Sequence, residues 1–156
     1  MILQILKMIY RKERHRKLVI CSRDLKNQGK SLFRENRGEY YELLDYNVTV
    51  EEQFFWTNRG EFFLVMKDFL DNIINFDEFE TAFTLLYDKK CEEFDMFVTD
   101  LEQIEKFEPS TRSDQFAGYI TGIFREFEAV EDEYRTQQEL KYYVKEVYLK
   151  FQKFEE

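Results

Sequence analysis

An all-α protein is the fold class this sequence predicts: an antiparallel four-helix bundle preceded by a basic N-terminal arm. Three observations point there. From about residue 58 onward, apolar residues recur at alternating steps of four and three, the period of one helix face. No alternating strand pattern competes with that period after residue 58. And 156 residues, 44% of them apolar or aromatic, suffice for the core of one ordinary domain. A charged fraction of 35% and a mean hydropathy of -0.60 place that core in a water-facing protein. No apolar run approaches the roughly 20 residues that cross a bilayer.

The first bundle helix carries Phe62, Met66, Phe69 and Ile73, with Asn58 and Glu61 placed as a cap and its return partner. The second opens at Asn75, with Glu78 in the capping position. Its stripe runs Phe79, Phe83 and Leu86, meets a charged break at Lys89 and Lys90, and resumes through Phe94, Phe97, Leu101 and Ile104 until Pro109 stops it. The third is the most regular: Phe116, Ile120, Ile123, Phe127, Val130 and Tyr134, with Gly118 and Gly122 forming a thin side for close approach. The fourth starts at a Thr136 cap answered by Glu139 and buries Leu140, Val144, Val147, Phe151 and Phe154. Four amphipathic helices with short joints have one economical arrangement, the antiparallel bundle. Residues 40–56 are expected to lie across it, with Thr49 and Glu52 capping one short helical turn.

Charge divides the chain into two expected parts. Residues 1–38, the basic arm or linker, hold 11 Lys/Arg against 3 Asp/Glu, a net of +8. Residues 39–156, the acidic helical domain, hold 12 against 29, a net of -17. Such a body repels nucleic acid and attracts a basic protein, and the arm does the reverse. Within the arm, Ile2, Ile5, Leu6 and Ile9 share one helical face, which suits packing on the body or anchoring on a membrane or RNA surface. Its basic residues follow the apolar stretch, the reverse of a secretory signal. Leu18, Val19, Ile20 and Cys21 suggest a short strand, and residues 22–39 read as a polar, mobile linker.

The chemistry-bearing residues are few. His15 is the single histidine and sits among the five cations of residues 11–17, which lower its proton affinity. A Ser-His-Asp or Cys-His arrangement would have to use it, and a di-iron bundle needs two Glu-x-x-His pairs. Cys21 and Cys91 have no metal-binding spacing and are expected to be reduced. Gly29, Lys30 and Ser31 end like a phosphate loop, but Asp24 stands where the first glycine belongs. Residues 71–79 resemble the back half of a calcium loop, yet its first and third ligand positions would be Lys67 and Phe69, and Asn72 replaces the turn glycine. The reading is therefore non-catalytic: no catalytic residue, no metal site and no cofactor.

The helix–turn–helix of residues 67–83 resembles the opening of the colicin-like bacterial self-protective immunity proteins. A Phe69-Leu70 pair, Ile73, a cap at Asn75 and the Glu78-Phe79-Glu80 helix start follow in that family's order. The later run from Phe127 to Tyr134, with Glu139 and Leu140 opening the last helix, is similar in layout. The resemblance spans about residues 62–150 and implies a small acidic helical bundle that blocks the cationic active site of a nuclease toxin, typically a tRNA-cleaving one.

A ribonuclease cleft is lined with Lys and Arg, and a rigid carboxylate surface can occupy the same field and exclude RNA. The densest acidic positions are Glu92, Glu93 and Asp95, then Glu128, Glu131, Asp132 and Glu133, the second set flanked by Arg125 and Arg135. These seven are the candidate partner-binding residues, with solvated helix faces as the plainer reading of each. The competing function is an accessory subunit of an organellar or ribosomal assembly, docked on RNA or an anionic surface through residues 1–38. The expected location is the cytoplasm, or an organelle interior.

Overall fold

The computed structural model describes residues 9–113 and 115–155, and among them every regular element is helical. The helices are α1 (Lys12–Asn27), α2 (Leu32–Glu35), α3 (Arg37–Thr57), α4 (Arg59–Leu70), α5 (Phe76–Phe97), α6 (Leu101–Lys106), α7 (Phe116–Glu131) and α8 (Gln137–Gln152). No helix among the described residues is long and apolar enough to cross a membrane. Contacts divide the chain into two compact units. One comprises residues up to Glu51 with Asp95–Pro109, the other Glu52–Phe94 with the chain from Ser110 onward.

The first unit holds α1, α2, most of α3 and α6 around Leu18, Val19, Leu32, Leu43, Tyr46 and Ile104. The strand expected at residues 18–21 is instead the middle of α1. His15, Leu18, Ser22 and Leu25 step three, four, three, so the short apolar run belongs to a helical stripe that begins and ends in polar sequence. Nor are residues 22–39 a linker. Helix α1 continues to Asn27 and ends in a Schellman turn: Lys30 N–H donates to Leu25 O (2.8 Å) and Gly29 N–H to Lys26 O (3.0 Å). Gly29 takes φ 73°, so the glycine of the Gly-Lys-Ser run serves as a helix stop. Ser31 then caps α2, and Asn36 caps α3 through Glu39 N–H (3.1 Å). Helix α3 is one 21-residue helix, where a single short turn was expected. Thr49 donates back to Asp45 O within it and caps nothing. Of the apolar N-terminal face, Ile2, Ile5 and Leu6 lie outside the described residues, and Ile9 is exposed and precedes α1.

The second unit packs α4, α5, α7 and α8 on a core of seventeen buried residues. Phe62 and Phe69 of α4 meet Phe83 and Phe79 of α5, the second pair stacked at 4.2 Å. On α7, Phe127 lies edge-on to Phe79 and Phe83, and Phe124 stacks on Tyr87 at 4.4 Å. Phe116 of α7 meets Phe151 of α8, and Phe63 of α4 meets Tyr148. Burying each such ring stabilises the fold by about 1.5–3 kcal/mol. The thin side of α7 is real at Gly122, where a Cβ would lie 2.7 Å from Tyr143 Oη; Gly118 faces open space.

Two expected stripe ends fall outside their helices. Ile73 and Tyr134 are 68% and 84% exposed. Both follow a residue of left-handed backbone, Asn72 (φ 59°) and Glu133 (φ 63°), where a Schellman turn redirects the chain. The joint at residues 98–100, absent from the sequence reading, is set by Asp100, whose side chain accepts from Glu102 and Gln103 N–H and opens α6.

Candidate functional site

The charged break expected at Lys89 and Lys90 does not occur: α5 runs through both. Lys90 occupies the buried stripe between Phe83 and Phe94 and is 5% exposed. Its ammonium reaches Glu61 Oε2 (2.6 Å), Glu93 Oε2 (3.1 Å) and Asn58 Oδ1 (3.1 Å). Burial pulls its pKa down, but the two carboxylates outweigh that and leave it above the ordinary lysine value. This explains why Asn58 does not cap α4. Its amide nitrogen donates to Phe54 O, its oxygen accepts from Lys90, and Glu61 turns to the same ammonium.

Of the first acidic set, Glu93 is therefore engaged inside the protein, with Lys90 and more distantly with Lys89 (4.0 Å). Glu92 and Asp95 are exposed, and Asp95 falls in the first unit. The second set gathers at one end of α7. Glu128 and Glu131 project from its last turns, Asp132 is its C-cap, and Glu133 is the left-handed residue beyond. Arg135 pairs with Glu126 at 2.8 Å. Because Phe127 packs on Phe76 and Phe79, the start of α5 adjoins this end, and Asp77 and Glu80 join the cluster. Burial, then Glu131, then Asp77 push the Glu80 carboxyl above the usual carboxylate range. Sequence reading missed Asp77 and Glu80, because acidic residues in a helix's first turn are ordinary complements of its dipole. Only the packing of Phe127 brings a second helix's carboxylates beside them.

Glu133 carries a backbone cost. A non-glycine residue in the left-handed region is disfavoured by about 1–2 kcal/mol. Glycine or asparagine, as at the ends of α1 and α4, would suit the same turn better.

The single histidine lies in the first unit, fully buried. Asn47 Oδ1 accepts from His15 Nε2–H (3.0 Å), and Tyr10 O–H donates to Nδ1 (2.9 Å), a neutral imidazole with both nitrogens engaged. Burial, only partly offset by Asn47, lowers its pKa; its neighbours here are aromatic rings rather than the cations adjacent in sequence. Burial likewise raises the Tyr10 phenol to about 12. Cys21 and Cys91 are both half-buried, and neither is in a disulfide. Among the described residues, no group of three or more His, Cys, Asp or Glu side chains is arranged to hold a metal ion. No protein-family model, curated protein or solved structure matches this chain.

Proposed function

We propose that the chain is a non-catalytic acidic binding protein. Its second unit is read as an antiparallel four-helix bundle that offers the carboxylates at the end of α7 and the start of α5 to a basic protein. In line with the immunity-protein resemblance, the partner is the cationic cleft of a nuclease domain, met in the cytoplasm. The observation that carries this reading is the gathering of Asp77, Glu80 and Glu131 where α5 meets the end of α7; burial first, and then these two neighbouring carboxylates, raise the Glu80 pKa. A cationic partner would relieve that repulsion, so binding energy is stored where the partner arrives. Glu133 supports it: a carboxylate stands beside the cluster at a position where glycine would be more stable.

The test uses these opposed signs. Glu133→Gly should raise stability by about 1 kcal/mol in urea denaturation. The full-length tagged chain, washed at low and high salt over host extract, should retain one basic protein whose capture weakens with salt. Affinity for that protein should fall with Glu133→Gly and further with Glu131→Lys. Undiminished affinity in both variants sinks the reading.

A second reading keeps the first unit as an RNA-docking element of a larger assembly. Arg16, Lys17, Lys26 and Lys30 are exposed, whereas Arg14 is held by both oxygens of Glu42 (2.8 and 2.9 Å) and Lys12 by Glu108. Replacing those four exposed cations with Gln should abolish RNA retention if this reading holds, and leave capture of the basic protein intact if the first does.

A further inference from the structure

Charge is polarised within the second unit. Helix α5 carries seven carboxylates against two lysines, whereas α8 carries three lysines against two glutamates. Between α4 and α8 run two adjoining depressions of about 580 and 510 Å³, which share Lys67 and Tyr148. Four cations line them, Arg59, Lys67, Lys141 and Lys145, against one carboxylate, Asp71, which is already paired to Lys67. On an acidic chain this is a local inversion of charge.

The same groove displays unpartnered apolar surface. Leu64, Tyr142 and Leu149 are 63%, 64% and 57% exposed. Positions 60, 64, 67 and 71 of α4 and its C-cap, and 138, 142, 145, 149 and 152 of α8, are stripes at helical spacing, so the groove follows both helix axes. Eleven residues of α4 give it a length of about 16 Å, three helical turns. Gly60 leaves one end open, with nothing within 4 Å of where its Cβ would stand.

We infer that the α4–α8 groove is a docking site for an acidic amphipathic helix of a partner protein. Apolar side chains at i, i+4 and i+7 rest on Leu64, Tyr142 and Leu149, and flanking carboxylates meet Lys67, Lys141 and Lys145. The groove's charge selects the occupant: a basic helix would set like charges together, and an uncharged one would leave Lys145 without a counter-charge, whereas Lys67 already pairs with Asp71 and Lys141 already donates to Asn72 Oδ1. This site is separate from the acidic cluster of the proposed function, and its test does not depend on that reading.

The experiment is a selection of displayed 20-residue helical peptides against the full-length chain. The expected consensus has apolar residues at i, i+4 and i+7 flanked by Asp or Glu. Binding of the selected peptides should fall at least tenfold with Lys145→Glu and with Tyr142→Ser, both exposed positions, while circular dichroism shows unchanged melting. An independent readout is amide-shift mapping, with perturbations confined to α4 and α8. No recovered binder, a basic or charge-free consensus, or shifts located elsewhere would overturn the inference. So would self-association of the chain that the same two substitutions abolish, because the occupant would then be a second copy.

Discussion

The two units of this chain solve the burial problem differently. The second has seventeen buried core residues, ten of them aromatic. Among the described residues the first has eight buried hydrophobics, of which two, Tyr46 and Phe107, are aromatic, and it completes its interior with the hydrogen-bonded chain of Tyr10, His15 and Asn47. An aromatic core gains from area and ring geometry, and tolerates no polar group that lacks a partner. A small core with a polar centre depends on every donor and acceptor being matched, and so on protonation state. The contrast therefore predicts different failure modes for the two units.

The largest effect should come from the aromatic core. Phe79→Ala removes a ring in contact with Phe69, Phe83 and Phe127, and should cost about 3–5 kcal/mol in chemical denaturation. A loss below 1 kcal/mol would mean the second unit does not rely on ring packing.

The buried ammonium of Lys90 in that unit sharpens the comparison. The double variant Glu61→Gln with Glu93→Gln strips Lys90 of both carboxylates and should cost about 3 kcal/mol. Lys90→Met should stay within about 1 kcal/mol of the parent, because a buried ion pair replaced by apolar volume is often neutral. Glu61 and Glu93 are 49% and 41% exposed and regain water. Equal losses in the two variants would show that the ammonium itself is required. The raised Lys90 pKa adds a pH signature: its stabilisation is complete below the ordinary lysine range and is lost as pH rises through the folded value.

The smallest effect, and the one specific to the first unit, is an acid response. The folded His15 resists protonation, so the unfolded chain takes up its proton first as pH falls through about 6.5. Stability of the first unit is full above that range and declines below it. Hydrogen exchange should quicken in α1 and α6 between pH 7.5 and 5, beyond the intrinsic pH effect, and His15→Gln should remove the difference. An acid response that survives His15→Gln would assign it to other groups.

Legibility in the sequence follows the same divide. Helices α7 and α8 were readable because their stripes are long, and so were the capping pairs Asn75 with Glu78 and Thr136 with Glu139, both present as reciprocal hydrogen bonds. Asn58 with Glu61 has the same spacing, yet a lysine thirty positions away claims both side chains. Helix α1 was misread because its inward stripe includes buried His15 and half-buried Ser22, polar residues that break the apolar count. The second acidic set was visible as a charge run, but its neighbours Asp77 and Glu80 were not.

What the sequence determined by itself is local: the helical class, the periods of the long stripes, two caps and the uneven spread of charge. These depend on residues within a turn or two of one another, where geometry is set by the 3.6-residue repeat. Tertiary structure decided which charges are buried, which carboxylates crowd together and where cations line a groove. Those outcomes depend on pairs such as Lys90 with Glu61, Glu80 with Glu131, and Lys67 with Lys145, distant in sequence and adjacent only once the helices pack.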